Sequence, residues 1–150
     1  MAKKKHYKWI MHLIDKITQS DAPLNNYFNY YGYEITQMSG TVDYTDVYIR
    51  DGRNTLADFS FDFWTKELNF ESYENDELRF AIVDAFVSIY EEVNVSDNTI
   101  NERKSEYQEY IDNPEEYVEE AVEKAKKEME IIENLPIGWV NRNLLNGLKQ

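Results

Sequence analysis

The sequence predicts an α+β fold: an N-terminal helix, a three- to four-stranded antiparallel sheet, and then a C-terminal group of about three helices. Three observations carry this. Apolar residues recur at helical spacing in residues 4–19, alternate with polar ones over Ala57 to Phe63 within the 56–64 strand, and return to helical spacing after residue 75.

In residues 4–19, Trp9, Ile10, Leu13, Ile14 and Ile17 make one apolar stripe, while Lys4, Lys5, Lys8, His12 and Lys16 fill the other faces. Ser20-Asp21-Ala22-Pro23 breaks the pattern. The aromatic stretch 24–32 reads as a short helix closed by Gly32. Strands are expected over 33–38, over 41–50 around Val47 and Ile49, and over 56–64, with a hairpin turn at Asp51-Gly52-Arg53-Asn54. In the last of these, Ala57, Phe59, Phe61 and Phe63 share one face and Asp58, Ser60 and Asp62 the other. Leu68-Asn69-Phe70 begins a possible fourth strand.

Asn75, followed by Asp76 and Glu77, is a cap candidate for a helix that runs to about Val93. Its stripe of Leu78, Ala81, Ile82, Ala85, Phe86, Ile89 and Val93 is expected to pack on the phenylalanine face of the sheet. Thr99-Ile100-Asn101-Glu102 matches a capping box and opens a polar helix to about Ile111. Pro114 marks the start of a last long helix with Val118, Ala121, Val122, Ala125, Met129 and Ile132 inward. Trp139, Val140, Leu144 and Leu148 read as a final docking segment. A chain of 150 residues fits one domain, 1–150, with 94–113 as its weakest junction.

Few chemistries remain open to this composition. No cysteine is present, which excludes disulfides, thiolate metal sites and cysteine nucleophiles. His6 and His12 stand six residues apart on a helix and so face different ways. The five glycines, at 32, 40, 52, 138 and 147, assemble neither a phosphate loop nor a dinucleotide fingerprint. Asp43, Asp46, Asp58 and Asp62 on neighbouring strands offer oxygen ligands to Mg²⁺ or Ca²⁺. Against this, Asp58 and Asp62 are about 13 Å apart by strand rise, and Lys66 is the only lysine between residues 17 and 103. No catalytic residue, cofactor or metal is therefore expected, and the chain reads as a non-enzyme.

Charge is the strongest signal. The net charge is −13, and residues 21–120 hold 24 acids against six bases, a balance of −18. Such a surface repels nucleic acid and anionic membrane and attracts basic surfaces. The basic N-terminus is not followed by the continuous apolar stretch of a signal peptide, and no run reaches the ~18–20 apolar residues of a membrane span; a cytoplasmic location is expected. Two acidic strips are candidates for partner binding. One is on the sheet: Asp43, Tyr44, Asp46, Tyr48, Asp58 and Asp62. The other is Glu115, Glu116, Glu119, Glu120 and Glu123, whose like-charge i, i+4 pairs each cost a few tenths of a kcal/mol on a helix. Tyrosine, with 12 residues, supplies contact area at small loss of rotamer freedom.

The profile of length, acidity, Tyr/Asn richness and absent cysteine resembles small acidic inhibitors encoded by phages and mobile elements, including anti-CRISPR proteins. The resemblance is one of profile and not of motif, so no residue role is carried over. It implies a non-catalytic protein of the host cytoplasm that inhibits a nucleic-acid-binding effector, such as a nuclease, by occupying its nucleic-acid channel as a mimic. The partner is then a basic protein surface and not nucleic acid itself. An immunity or antitoxin-type protein neutralising a basic toxin, or a structural accessory protein of a phage or mobile element, is the alternative.

Overall fold

The computed structural model describes residues 7–19, 25–41 and 43–148. Lys4, Lys5, His6, the breaker Ser20-Asp21-Ala22-Pro23 and the side chain of Leu148 lie outside the described residues. Helix α1 (Lys8–Gln19) precedes strands β1 (Asn25–Tyr30), β2 (Tyr33–Thr41), β3 (Tyr44–Asp51), β4 (Asn54–Asp62) and β5 (Glu67–Tyr73). Helix α2 (Asp76–Tyr90) crosses to β6 (Glu92–Asp97). Helix α3 (Asn98–Asp112), a 3₁₀ turn (Pro114–Glu116) and α4 (Glu119–Glu133) lead to β7 (Gly138–Asn141), which runs into α5 (Arg142–Leu148).

The fold is α+β, but the expected sheet of three or four strands followed by a C-terminal helix group is wrong. A seven-stranded sheet, ordered β1 to β7 as in the chain, takes in strands from the C-terminal half. All neighbours are antiparallel except β5 and β6, which α2 joins as a parallel pair. A parallel pair needs a crossover of a dozen residues or more, and the 15-residue α2 supplies it.

Several local readings fail for physical reasons. Leu24 lies outside the described residues, and residues 25–32 form no helix. Tyr31 and Gly32 both have positive φ, at 52° and 84°, which makes the two-residue turn of a β1–β2 hairpin. Val93 continues the apolar spacing of α2, yet the helix stops at Tyr90, where Glu91 turns to φ 70°. Val93 and Val95 then alternate with polar neighbours as a strand. Pro114 opens only a single 3₁₀ turn. Tyr117 and Val118 are extended, α4 begins at Glu119, and Val118 is 72% exposed instead of lining a core. The cap of α3 is likewise Asp97, whose carboxylate accepts from the Thr99 N–H at 2.9 Å, and not Thr99. In the docking segment Val140 and Leu145 are buried, while Trp139 and Leu144 are exposed.

One apolar cluster joins α1, α2 and α5 to one face of the sheet. Phe61 stacks on Phe86 at 4.4 Å and on Tyr90 at 5.1 Å, and Trp9 stacks on Tyr33 at 4.6 Å. Val122, Ala125, Met129 and Ile132 of α4 are buried with Ile100 of α3 outside that cluster, so the α3–α4 hairpin has a small core of its own.

A polar clamp ties this hairpin to the body. Arg79 on α2 is fully buried; its Nε donates to Asp97 Oδ2 at 2.8 Å and its Nη2 to the Pro136 carbonyl at 2.8 Å. The guanidinium lies over Phe70 at 5.1 Å. Beside it, Arg103 of α3 donates to both carboxylate oxygens of Asp76 and to the Tyr73 hydroxyl. Burial opposes the Arg103 charge, but Asp76 and Tyr73 outweigh it and raise its pKa.

Asp97→Asn keeps a capping side chain but leaves the Arg79 charge buried without a counter-charge. It should destabilise the chain by about 3–5 kcal/mol in urea unfolding at neutral pH. Phe61→Ala opens a cavity between sheet and helix and should cost a similar ~3–5 kcal/mol by the same measurement.

Candidate interaction surface

Helices cover one face of the sheet, and the alternation of the strands turns polar residues to the other. Along β3, Thr45, Val47 and Ile49 are buried while Tyr44, Asp46 and Tyr48 are at least partly exposed. The ladders set these outer residues in rows. Tyr44, Asp62, Glu67, Asn94 and Trp139 are successive partners across β3 to β7. Met38, Asp46, Ser60, Asn69 and Ser96 form the next row, across β2 to β6. Tyr27, Thr36, Tyr48 and Asp58 form a third, across β1 to β4. Neighbouring strands stand about 4.8 Å apart, so five strands make a shallow surface roughly 19 Å wide.

The seven strands hold nine acids and one base, Arg50, which is paired in register with Glu34. Asp46 and Asp58 are diagonal neighbours, because Asp46 faces Ser60 and Asp58 faces Tyr48; that separation is about 7–8 Å. Glu71 joins them through a register shift at Asp58/Phe59 that turns both Glu71 and Ser72 outward. Glu71 Oε1 accepts from the amides of Asn69 at 3.0 Å and Asn98 at 2.6 Å, and Ser96 donates to Asn69 Oδ1 at 2.9 Å. The Tyr44 hydroxyl donates to Asp46 Oδ1 at 3.2 Å. Among the described residues no lysine or arginine pairs with Asp46, Asp58 or Glu71.

The effect of this arrangement falls on Asp58 and Tyr48. Burial, then the charges of Asp46 and Glu71, push the Asp58 carboxyl up to about 6. The Asp58 charge, with burial behind it, raises the Tyr48 phenol. Asp62 behaves oppositely. Its Oδ1 accepts from the N–H groups of Thr65 at 3.0 Å and Trp64 at 2.8 Å, which holds its carboxyl low.

The sheet strip of the sequence reading thus divides. Tyr44, Asp46, Tyr48 and Asp58 come together on the outer face. Asp62 caps the β4–β5 turn, and Asp43, whose carbonyl accepts from Phe63 N–H at 2.7 Å, precedes β3 at that same end. The helical strip lies elsewhere and is not one helix face: Glu115 and Glu116 sit in the 3₁₀ turn, and Glu119, Glu120 and Glu123 in α4. Its charge is partly answered locally, since Glu123 pairs with Lys126 at 3.6 Å and Lys124 and Lys127 line the same hollow as Glu119 and Glu120.

Sequence reasoning missed Glu71, Tyr27, Met38 and Trp139. The inward alternation of Leu68 and Phe70 was the available signal for Glu71. Tyr27, Met38 and Trp139, exposed by 66, 47 and 57%, bring aromatic and thioether area to the surface. Among the described residues no group of three or more histidines and carboxylates is placed to hold a metal ion. None of their helices is long and apolar enough to cross a membrane. Comparison with family models, curated proteins and solved structures gives no match for the chain.

A carboxyl with a raised pKa keeps a proton in the folded chain that the unfolded chain has released. Between pH ~4 and ~6, Asp58 therefore makes stability fall as pH rises. Carbon-detected NMR should give Asp58 a midpoint near 6. Asp58→Asn should stabilise the chain at pH ~7 and flatten the slope of urea midpoints across that window.

Proposed function

We propose that this chain is a non-catalytic acidic binding protein that inhibits a nucleic-acid-binding effector by seating its outer sheet face in the effector's basic cleft. One observation carries the reading. Asp46, Asp58 and Glu71 crowd together on a rigid sheet where the strands hold nine acids to one base, without a lysine or arginine of the described chain pairing with them.

Crowding carboxylates costs stability, and a cation from outside relieves it. An arginine entering among them gains charge-assisted hydrogen bonds and can stack on Tyr48 or Tyr44. The fields of the two surfaces speed their encounter, and Tyr27, Met38 and Trp139 contribute the apolar contacts that slow release. Phosphates bind such lysine and arginine clusters by the same Coulomb attraction, so the chain and nucleic acid compete for one cleft. The chain itself then binds no nucleic acid, and its place of work is the cytoplasm where the effector acts. The α4 glutamates serve this less well because Lys124, Lys126 and Lys127 stand among them.

Capture on the immobilised chain at low and at high salt, with mass spectrometry of what elutes, identifies the partner. With that partner, reversing Asp46, Asp58 and Glu71 to lysine should weaken binding by about 100-fold or more and abolish competition with nucleic acid. Reversing Glu116, Glu119 and Glu123 should change affinity only a few-fold. Equal affinity for the reversed sheet face, with an unchanged circular dichroism spectrum, would sink the proposal.

A further inference from the structure

The helical side of the molecule carries a second surface of different character. A groove of 640 Å³ runs between α1 and α2, with Met11, Phe80 and Ala81 on its walls. Phe80 and Glu77 also line an adjoining hollow of 470 Å³, which Ile131, Leu135 and Pro136 close. The two therefore form one trough across three elements. Met11 and Ile131 are 38% and 46% exposed there.

This apolar area is surplus to the core. The inward stripe of α2 is Leu78, Ile82, Val83, Ala85 and Phe86, and Phe80 and Ala81 add a flanking column that is only partly covered. The rim carries Glu77 and Glu130, with Asp84 and the Arg103-paired Asp76 beside them, against Lys8 and His12 on the α1 side.

We propose that this trough docks a basic amphipathic helix of a protein partner, its apolar stripe on Met11, Phe80 and Ile131 and its cations toward Glu77 and Glu130. Helix-in-groove recognition needs an apolar floor a few turns long, and rim charge sets the sign of the helix it accepts. An acidic rim disfavours nucleic acid and anionic lipid. A second copy of the chain fits poorly. Its lysine-bearing amphipathic helix is α1, whose stripe of Ile10, Leu13, Ile14 and Ile17 is already buried. The proposal is independent of the outer sheet face.

The test is an NMR titration of the ¹⁵N-labelled full chain with a Leu/Lys amphipathic peptide of about five helical turns, with the Leu/Glu counterpart as control. Shifts should cluster at Met11, Phe80 and Ile131, weaken with salt, and be absent with the Leu/Glu peptide. Met11→Lys and Ile131→Lys alter exposed positions that the fold does not need, and each should weaken the Leu/Lys peptide by about 10-fold or more. Asp46→Asn with Asp58→Asn should leave the shifts at Met11, Phe80 and Ile131 in place and remove only any shifts at the outer sheet face. Shifts confined to the outer sheet face, equal binding of the Leu/Glu peptide, or no shifts at all would overturn the proposal. So would binding that appears only when residues 1–6 are deleted, because the trough would then belong to the chain's own lysines.

Discussion

The arrangement of helices depends on one buried ion pair. Arg79 occupies a core position of α2, in helical register with Ile82, Val83 and Phe86. Asp97 occupies an inward position of β6, two residues after Val95. Neither could be buried alone, since an isolated charge in an apolar interior costs many kcal/mol. Together they fix the end of β6 against α2, and the Pro136 carbonyl brings the chain after α4 to the same guanidinium. A buried pair of this kind adds little net stability over a well-packed apolar substitute. What it adds is specificity. Nε and Nη2 of Arg79 find partners while Nη1 is left without one among the described residues, and the bonds that are made anchor the α3–α4 hairpin at one end of β5 and β6. The Arg103–Asp76 pair and the Tyr73 hydroxyl repeat the constraint one helical turn of α3 further on.

That anchoring bears on the electrostatics of the sheet. Among the described residues the lysines of the C-terminal half, Lys104, Lys124, Lys126 and Lys127, belong to the hairpin and stay with it. Lys66, the one lysine between β4 and β5, turns away as well; its ammonium lies over the Tyr90 ring at 4.8 Å on the helical side. Arg79 and Arg103 are committed to Asp97 and Asp76. The described chain thus spends much of its scarce positive charge on holding itself together, and Asp46, Asp58 and Glu71 are left to repel one another. Partial burial first, and then the charges of Asp46 and Glu71, raise the Asp58 carboxyl. A face kept only for solubility would gain from one lysine among those acids.

What was legible in the sequence follows from which physical signal each element carries. The clearest alternation, Ala57 to Phe63, sits in β4 at the centre of the sheet, and the stripe of Leu78, Ile82 and Phe86 packs onto it. These elements bury large apolar side chains with unambiguous period. β1 carries almost no such signal, because its Asn/Tyr sequence is shaped by a hairpin turn and an edge position, not by two-sided burial. β6 and β7 are short, and Val93 falls in phase with the helix before it. Only the backbone reversal at Glu91 separates the two, and a glutamate does not announce a positive φ. The start of α4 was misplaced for a related reason. The extended Tyr117–Val118 link interrupts the run after Pro114 that reads as one continuous helix.

The candidate surface shows the same boundary between local and non-local information. Alternation along a strand says which residues share a face, so Asp58 could be placed opposite the phenylalanines. Which carboxylates become neighbours depends on register between strands, and a slip of one residue would send Asp46 into the core and Thr45 to the surface. The inward pair Val47 and Ile49 forbids that slip, because it would expose two large apolar side chains at a cost of about 1.5–3 kcal/mol each. The hydrophobic core therefore determines the spacing of the acids on the opposite side of the same strands. A change of register cannot relieve the crowding at Asp58 without giving up the packing beneath it; only a change of side chain on the outer face can.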